Sequence, residues 1–293
     1  MSIQWYPGHM TKARKVLAES LPSQDVVIEV LDARLPGACS NPVLSELRAR
    51  KPCIKVLTKA DLADPELTEA WVSHYQNAEI PIIETANGFL PAGTVRAIAI
   101  RQDRGADVRA RIFALCKELA PRSEANKRSV RVMIVGVPNV GKSTLVNTLM
   151  NRKVAKVGDV PAVTKSKQVV SVGNGILLAD NPGLLWPKIE NEQDGLRLAF
   201  AGSIPDTAID LETIALWGAA WILGRYGDTL LQRYKLESLP ESPSALIDEI
   251  GRRRGALRAG GVIDRHKASE ALIRDFRSGT LGRITLQAPP SKR

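Results

Sequence analysis

Residues 136–143 read Gly136-Val137-Pro138-Asn139-Val140-Gly141-Lys142-Ser143 and fit the pattern GxxxxGK(S/T). The run before it, Val130-Arg131-Val132-Met133-Ile134-Val135, has the β-branched apolar character of a buried strand. Thr144–Met150 behind it is helical in pattern. Strand, glycine-bearing turn and helix in this order make a phosphate-binding loop. The glycines let backbone N–H groups turn inward on phosphate oxygens. The start of the following helix adds partial positive charge. In this pattern Lys142 reaches the β- and γ-phosphates, and the Ser143 hydroxyl ligates Mg²⁺. Asn139, Val140, Gly141 and Thr144 complete the expected nucleotide contacts on this loop.

Working outward, more strand-like runs appear. They are Val26-Val27-Ile28-Glu29-Val30-Leu31, which ends at Asp32, then Ile54-Lys55-Val56-Leu57 and Ile80-Pro81-Ile82-Ile83. Helical patterns separate them. This predicts an α/β fold, a mostly parallel sheet with helices on both faces. Lys167–Val172 and Gly175–Ala179, joined at Gly173-Asn174, predict a hairpin and hence one antiparallel edge pair. The pattern changes near Ser203-Ile204-Pro205-Asp206. Beyond it only helices are expected. Asp206 is expected to cap one running to about Arg225. Ser242-Pro243 starts another, and a third spans about Asp264–Ser278 before Gly279. The expected organisation is an α/β domain over 1–205 and a small all-α domain over 206–293.

Two further segments belong with the phosphate loop. Asp180-Asn181-Pro182-Gly183 follows the strand Ile176–Ala179 and fits DxxG. In that signature Asp180 holds Mg²⁺ through water and the Gly183 N–H meets the γ-phosphate. Thr164, in the irregular stretch between, is the candidate switch threonine on Mg²⁺ and γ-phosphate.

A phosphate loop does not choose between adenine and guanine. Thr58-Lys59-Ala60-Asp61, after the strand Ile54–Leu57, resembles the NKxD motif of GTPases. A carboxylate at Asp61 accepts from both guanine N1–H and the 2-amino group, a pattern that adenine lacks. The Lys59 stem is expected to lie over the base. Thr85-Ala86-Asn87 takes the place of the SAK-type loop, whose backbone N–H meets guanine O6.

The order of these motifs is unusual. Ordinary GTPases run phosphate loop, switch threonine, DxxG, NKxD, SAK; here the last two come first, with the cyclic order kept. Together with Gln4-Trp5-Tyr6-Pro7-Gly8-His9-Met10 and Asp32-Ala33-Arg34-Leu35-Pro36, this resembles the circularly permuted ribosome-assembly GTPases of the YlqF/RbgA type. The likeness extends to Leu185-Trp186-Pro187-Lys188 and to Asp275-Phe276-Arg277-Ser278-Gly279-Thr280-Leu281-Gly282-Arg283-Ile284. It implies a circularly permuted P-loop GTPase domain, and GTP hydrolysis in maturation of the large ribosomal subunit, stimulated by the particle. One departure is Thr58, where the family carries Asn.

The residue after DxxG is Leu184, which cannot orient a water as a glutamine does. The resemblance implies two replacements. Asn139 matches the Asn that helps bind a monovalent cation, K⁺, in similar GTPases. His9 matches an N-terminal His that acts on the attacking water, a role its unperturbed pKa suits. Release of the γ-phosphate is further expected to turn the C-terminal domain. The competing reading is a nucleotide-gated RNA-binding module whose hydrolysis is incidental.

The formal net charge is +10 in 293 residues. An excess this size suits a polyanionic partner. On the helix near the C-terminus, Lys267, Arg274 and Arg277 fall within a narrow arc, with Leu272 and Phe276 opposite. Arg252, Arg253 and Arg254 precede it. These six are the candidate rRNA contacts, reading shape and backbone rather than bases. Three separated cysteines suit a reducing compartment. No membrane span and no signal sequence are read, so a cytoplasmic location is expected; a monomer is expected as well.

Overall fold

The chain is described from a computed structural model. The described residues are 15, 17–40, 42–48, 51–76, 82–85, 88–91, 94–101, 105–121, 123, 126, 128–151, 169–179 and 191–290.

Strand β1 (Val26–Asp32) is buried along its whole length, so it can only be an interior strand. Short helices α1 (Pro36–Cys39) and α2 (Pro42–Arg48) follow it. Strand β2 (Cys53–Thr58) is equally buried, and α3 (Pro65–Gln76) returns over the sheet. Strands β3 (Ile82–Thr85) and β4 (Gly88–Pro91) form a separate two-stranded ladder. Strand β5 (Val95–Ala99), helix α4 (Gly105–Leu119), strand β6 (Val130–Val135) and helix α5 (Lys142–Met150) come next. The hairpin β7 (Val169–Gly173) and β8 (Ile176–Ala179) closes the sheet.

The sheet order is β5-β2-β1-β6-β8-β7. All neighbours run parallel except β7, which is antiparallel to β8. The register sets Asp32 beside Thr58, Leu57 beside Ala99, and Met133 beside Ala179. The carboxyl ends of β1, β2, β5, β6 and β8 therefore share one edge of the sheet. Ligands in open α/β sheets bind outside that edge.

One strand expectation needs correction. Of the expected strand Ile80-Pro81-Ile82-Ile83, the described residues Ile82 and Ile83 do not enter the central sheet but pair in the β3–β4 hairpin. The sheet strand beside β2 is β5. Proline lacks an N–H for a ladder and is confined to edges, which suits a side hairpin better than a parallel interior strand.

Past the sheet come α6 (Glu192–Phe200), α7 (Leu211–Arg225), α8 (Gly227–Tyr234), α9 (Pro243–Arg254) and α10 (Arg265–Arg277). Asp206 lies in a single 3₁₀ turn, and the cap of α7 is Asp210, which accepts from Glu212 and Thr213 N–H. Ser242 caps α9 through Ala245 N–H, and Asp264 caps α10 through Lys267 N–H, as their sequence suggests. Gly218 lets α7 close on the Phe200 ring, where a Cβ would collide. Phe200 also meets Phe276, with ring centroids 4.6 Å apart. One buried apolar cluster runs from Ile28 and Val30 in the sheet through Phe200 to Ile250 and Phe276.

Candidate functional site

The phosphate loop leaves β6 at Gly136. A Cβ there would lie 2.5 Å from the Val30 carbonyl oxygen, so only glycine lets the loop pass this close to β1. Asn139 and Gly141 have φ of 60° and 97°. These left-handed positions curl the loop before α5. Val137 and Val140 are fully buried and anchor its apolar side. The Lys142 ammonium folds over the loop and donates to the carbonyls of Gly136 and Val137 at 3.0 and 2.7 Å. Ser143 and Thr144 stand half-buried in the first turn of α5.

The Thr58–Asp61 segment stands beside this loop. The Thr58 hydroxyl lies 2.9 Å from the Leu31 carbonyl and 2.5 Å from that of Val140. It ties β2 to both β1 and the phosphate loop. Lys59, at φ 57°, sends its ammonium to Asp32 at 2.8 Å and to the Asn139 carbonyl at 2.7 Å. Asp61 Oδ1 is buried and has no hydrogen-bond partner among the described residues. A buried carboxylate oxygen left this way is costly unless a ligand donor meets it. Guanine offers such donors in N1–H and the 2-amino group.

Asp32 is the hinge of a wider network. Burial alone would raise its pKa; the Arg34 guanidinium and the Lys59 ammonium outweigh this and hold the carboxyl far below its ordinary value. Arg34 is 1% exposed. It also donates to the Phe276 carbonyl at 3.0 Å, and its guanidinium lies 4.6 Å from the Phe276 ring centre. Asn139 Nδ2 donates to the Gly202 carbonyl at 2.8 Å. Base turn, phosphate loop and helix α10 are thus joined through neighbouring side chains.

Three comparisons place this geometry among known proteins. A family model described as "50S ribosome-binding GTPase" matches residues 131–214. A "Ribosome biogenesis GTPase A" of Bacillus licheniformis is 42% identical, the match covering 99% of this chain and 99% of that one. The chain belongs to this family. A mouse "Mitochondrial ribosome-associated GTPase 1" is 31% identical over 97% of the chain and 89% of its own length. The crystal structure of GNP-bound YlqF from T. maritima, 28% identical, gives a TM-score of 0.64 over 95% of this chain and 98% of that one. Membership carries the fold with it: a circularly permuted P-loop GTPase sheet followed by a helical region. The reaction of the family is GTP hydrolysis, which P-loop GTPases perform with Mg²⁺.

The predicted site residues divide sharply. Thr58, Lys59, Ala60 and Asp61 come together with Asn139, Val140, Gly141, Lys142, Ser143 and Thr144 at one sheet edge. Thr85 does not join them through the sheet, because its strand β3 pairs with β4 outside it. The segment beside the Asp61 turn follows β5 instead: Ala60 N–H donates to the Ile100 carbonyl at 3.2 Å. The signal for it is present in Val95-Arg96-Ala97-Ile98-Ala99-Ile100, which alternates as a strand does but is poorer in β-branched residues. His9, Ala86, Asn87, Thr164, Asp180, Gly183 and Leu184 lie outside the described residues. Of the expected Mg²⁺ ligands only Ser143 is described, at the helix start where a P-loop hydroxyl is needed. The strand β8 ends at Ala179, paired with Met133 of β6.

The basic residues also divide. Lys267 and Arg274 are exposed. Arg252 and Arg253 are exposed and pair with Glu249 at the surface. Arg254 is exposed too and donates to Asp275 at 2.6 Å beside the Tyr234 ring. Arg277 donates to the carbonyls of Phe200 and Ala199 and to Asp206, at 2.8–3.1 Å. Helical spacing groups Arg277 with the exposed face; its side chain in fact turns inward to hold α6 against α10. No helix among the described residues is long and apolar enough to cross a membrane.

Proposed function

We propose that this GTPase is an assembly factor for the large ribosomal subunit, binding rRNA in the precursor particle and coupling GTP hydrolysis to maturation or release. The observation that carries the nucleotide choice is the buried, unpartnered Asp61 oxygen on a turn tied directly to the phosphate loop. Family membership and the net charge of +10 support the ribosomal partner. The basic surface for rRNA is Arg252, Arg253, Arg254, Lys267 and Arg274, with Arg277 held chiefly by the protein itself.

In this reading residues 1–205 are the nucleotide domain and residues 206–293 the ribosome-binding one. Backbone N–H groups of residues 139–144 and the Lys142 ammonium hold the phosphates. Ser143, with Thr164 and Asp180, supplies the Mg²⁺ ligands, and the Gly183 N–H meets the γ-phosphate. Bound Mg²⁺ offsets charge on the β- and γ-oxygens. Asn139 has its amide nitrogen engaged by Gly202, which leaves Oδ1 as the donor suited to K⁺. His9 orients the attacking water when the protein is bound to the particle, in place of the glutamine that Leu184 does not provide. Turnover alone is slow for the same reason. The protein works as a cytoplasmic monomer.

Depletion followed by sedimentation tests the reading. The expected result is accumulation of an immature large-subunit precursor, with small subunits complete. A normal subunit profile overturns it.

A further inference from the structure

After α10 the chain turns back over the sheet edge. Leu281, Ile284, Thr285 and Leu286 are all buried, at 0–2% exposure. Ile284 N–H donates to the Leu62 carbonyl at 3.1 Å, and Leu286 N–H donates to the Arg34 carbonyl at 2.6 Å. The Thr285 hydroxyl accepts from Asp64 N–H at 3.0 Å. Arg283 Nε reaches the Asp61 carbonyl at 3.4 Å. The Tyr226 hydroxyl, at the end of α7, lies 3.1 Å from Asp64 Oδ2 and 3.2 Å from the Thr285 carbonyl, and accepts from Thr285 N–H. Burial pushes this phenol up to about 12, so it stays a donor at neutral pH.

Apart from the Leu286 bond to Arg34, these contacts converge on residues 61–64, the turn that carries Asp61, directly or through Thr285. Inside the sheet that turn has little to hold it: Ala60 N–H meets Ile100, and Leu62 N–H closes on the Lys59 carbonyl. The Asp64 end is held by α3, whose Thr68 N–H donates to the Asp64 carbonyl at 2.9 Å; the other contacts on the turn come from the far end of the chain. Gly279 completes the fit, because a Cβ there would come within 2.5 Å of the Leu62 side chain.

We propose that the strap Gly279–Gln287 is a positioning element for base recognition: it holds the Asp61 turn in the conformation that meets guanine. The proposal rests on the reading of Asp61 as the guanine acceptor. Among the described residues the strap bonds to the base side of the site and to Arg34, and makes no hydrogen bond of its own to residues 136–143. Loosening it therefore weakens discrimination for guanine and spares the phosphate chemistry. It also gives the helical region a grip on nucleotide affinity that bypasses the switch segments.

Binding of GDP and of IDP, which lacks the 2-amino group, separates the possibilities. The full-length variants are Arg283→Ala, Tyr226→Phe and Thr285→Val, with Asp61→Ala as reference. For the strap variants GDP affinity falls by about threefold to tenfold and IDP affinity by less. The GDP/IDP ratio then moves toward that of Asp61→Ala, while kcat at saturating GTP stays within about twofold of the parent. A parental ratio in Arg283→Ala, Thr285→Val and Tyr226→Phe alike, or equal losses for GDP and IDP, overturns the proposal. A parental ratio in Asp61→Ala overturns the base reading itself, and the proposal with it.

Discussion

Lys59 and Asp32 form a largely buried ion pair, Nζ to Oδ2 at 2.8 Å, and the same ammonium holds the Asn139 carbonyl of the phosphate loop. The family sequence Asp32-Ala33-Arg34 thereby acquires a physical meaning. A single carboxylate orients the lysine of the base motif and neutralises Arg34, which reaches on to α10.

Asp32→Asn leaves the Arg34 guanidinium buried without its counter-charge. The expected loss is about 3 kcal/mol of unfolding free energy, read from urea melts. The pH dependence follows from the depressed carboxyl. Its stabilisation is complete above the unfolded value of about 4 and drains away as pH falls from there toward the folded value. Parent stability therefore drops more steeply below about pH 4 than that of Asp32→Asn. Parallel acid profiles would show that the pair contributes nothing through charge.

Thr58 tests the departure from the usual asparagine. Its hydroxyl has one proton for two buried carbonyls, Leu31 and Val140. Thr58→Val removes the donor at similar shape, and GDP affinity is expected to fall by about threefold to tenfold. Thr58→Asn brings two N–H donors and is expected to tighten GDP by about threefold. Calorimetric titration reads both, and a Thr58→Asn protein that binds more weakly than the parent contradicts this account of the tie.

Much of the site is legible in the residues themselves. The phosphate loop, β1, β2 and the hairpin β7–β8 stand out because motif, apolar run and turn chemistry agree at each of them. The failures are places where they disagree. Ile80-Pro81-Ile82-Ile83 outranks Val95–Ala99 on β-branching, yet its described residues, Ile82 and Ile83, pair with β4 outside the sheet. Asp206 and Asp210 are both good caps, and only the packing of α7 on α6 and α10 selects the second. Arg277 has the spacing of a surface arginine, but two carbonyls at the end of α6 and the Asp206 carboxylate lie within its reach. Periodicity assigns a residue to a face; it does not say where a long side chain ends.

That distinction predicts opposite phenotypes on one helix. Lys267→Ala with Arg274→Ala weakens binding to rRNA and lowers the salt slope by about one for each phosphate no longer neutralised, with the thermal midpoint unchanged. Arg277→Ala does the reverse: it costs about 1–3 kcal/mol of stability by removing the donor to the Phe200 carbonyl and the pair with Asp206. Filter binding across a salt series and thermal melts on the same preparations distinguish the two. A stable Arg277→Ala protein that no longer binds rRNA would return Arg277 to the RNA-facing surface.

The central claim is that hydrolysis by this chain is slow alone and is switched on by the large-subunit particle. The direct measurement is steady-state GTP hydrolysis in Mg²⁺ and K⁺, with and without isolated large-subunit particles. The account predicts multiple turnovers, a rise of about tenfold or more with particles, and a fall when Na⁺ replaces K⁺. A rate that the particles leave unchanged would contradict it and favour a nucleotide-gated RNA-binding module.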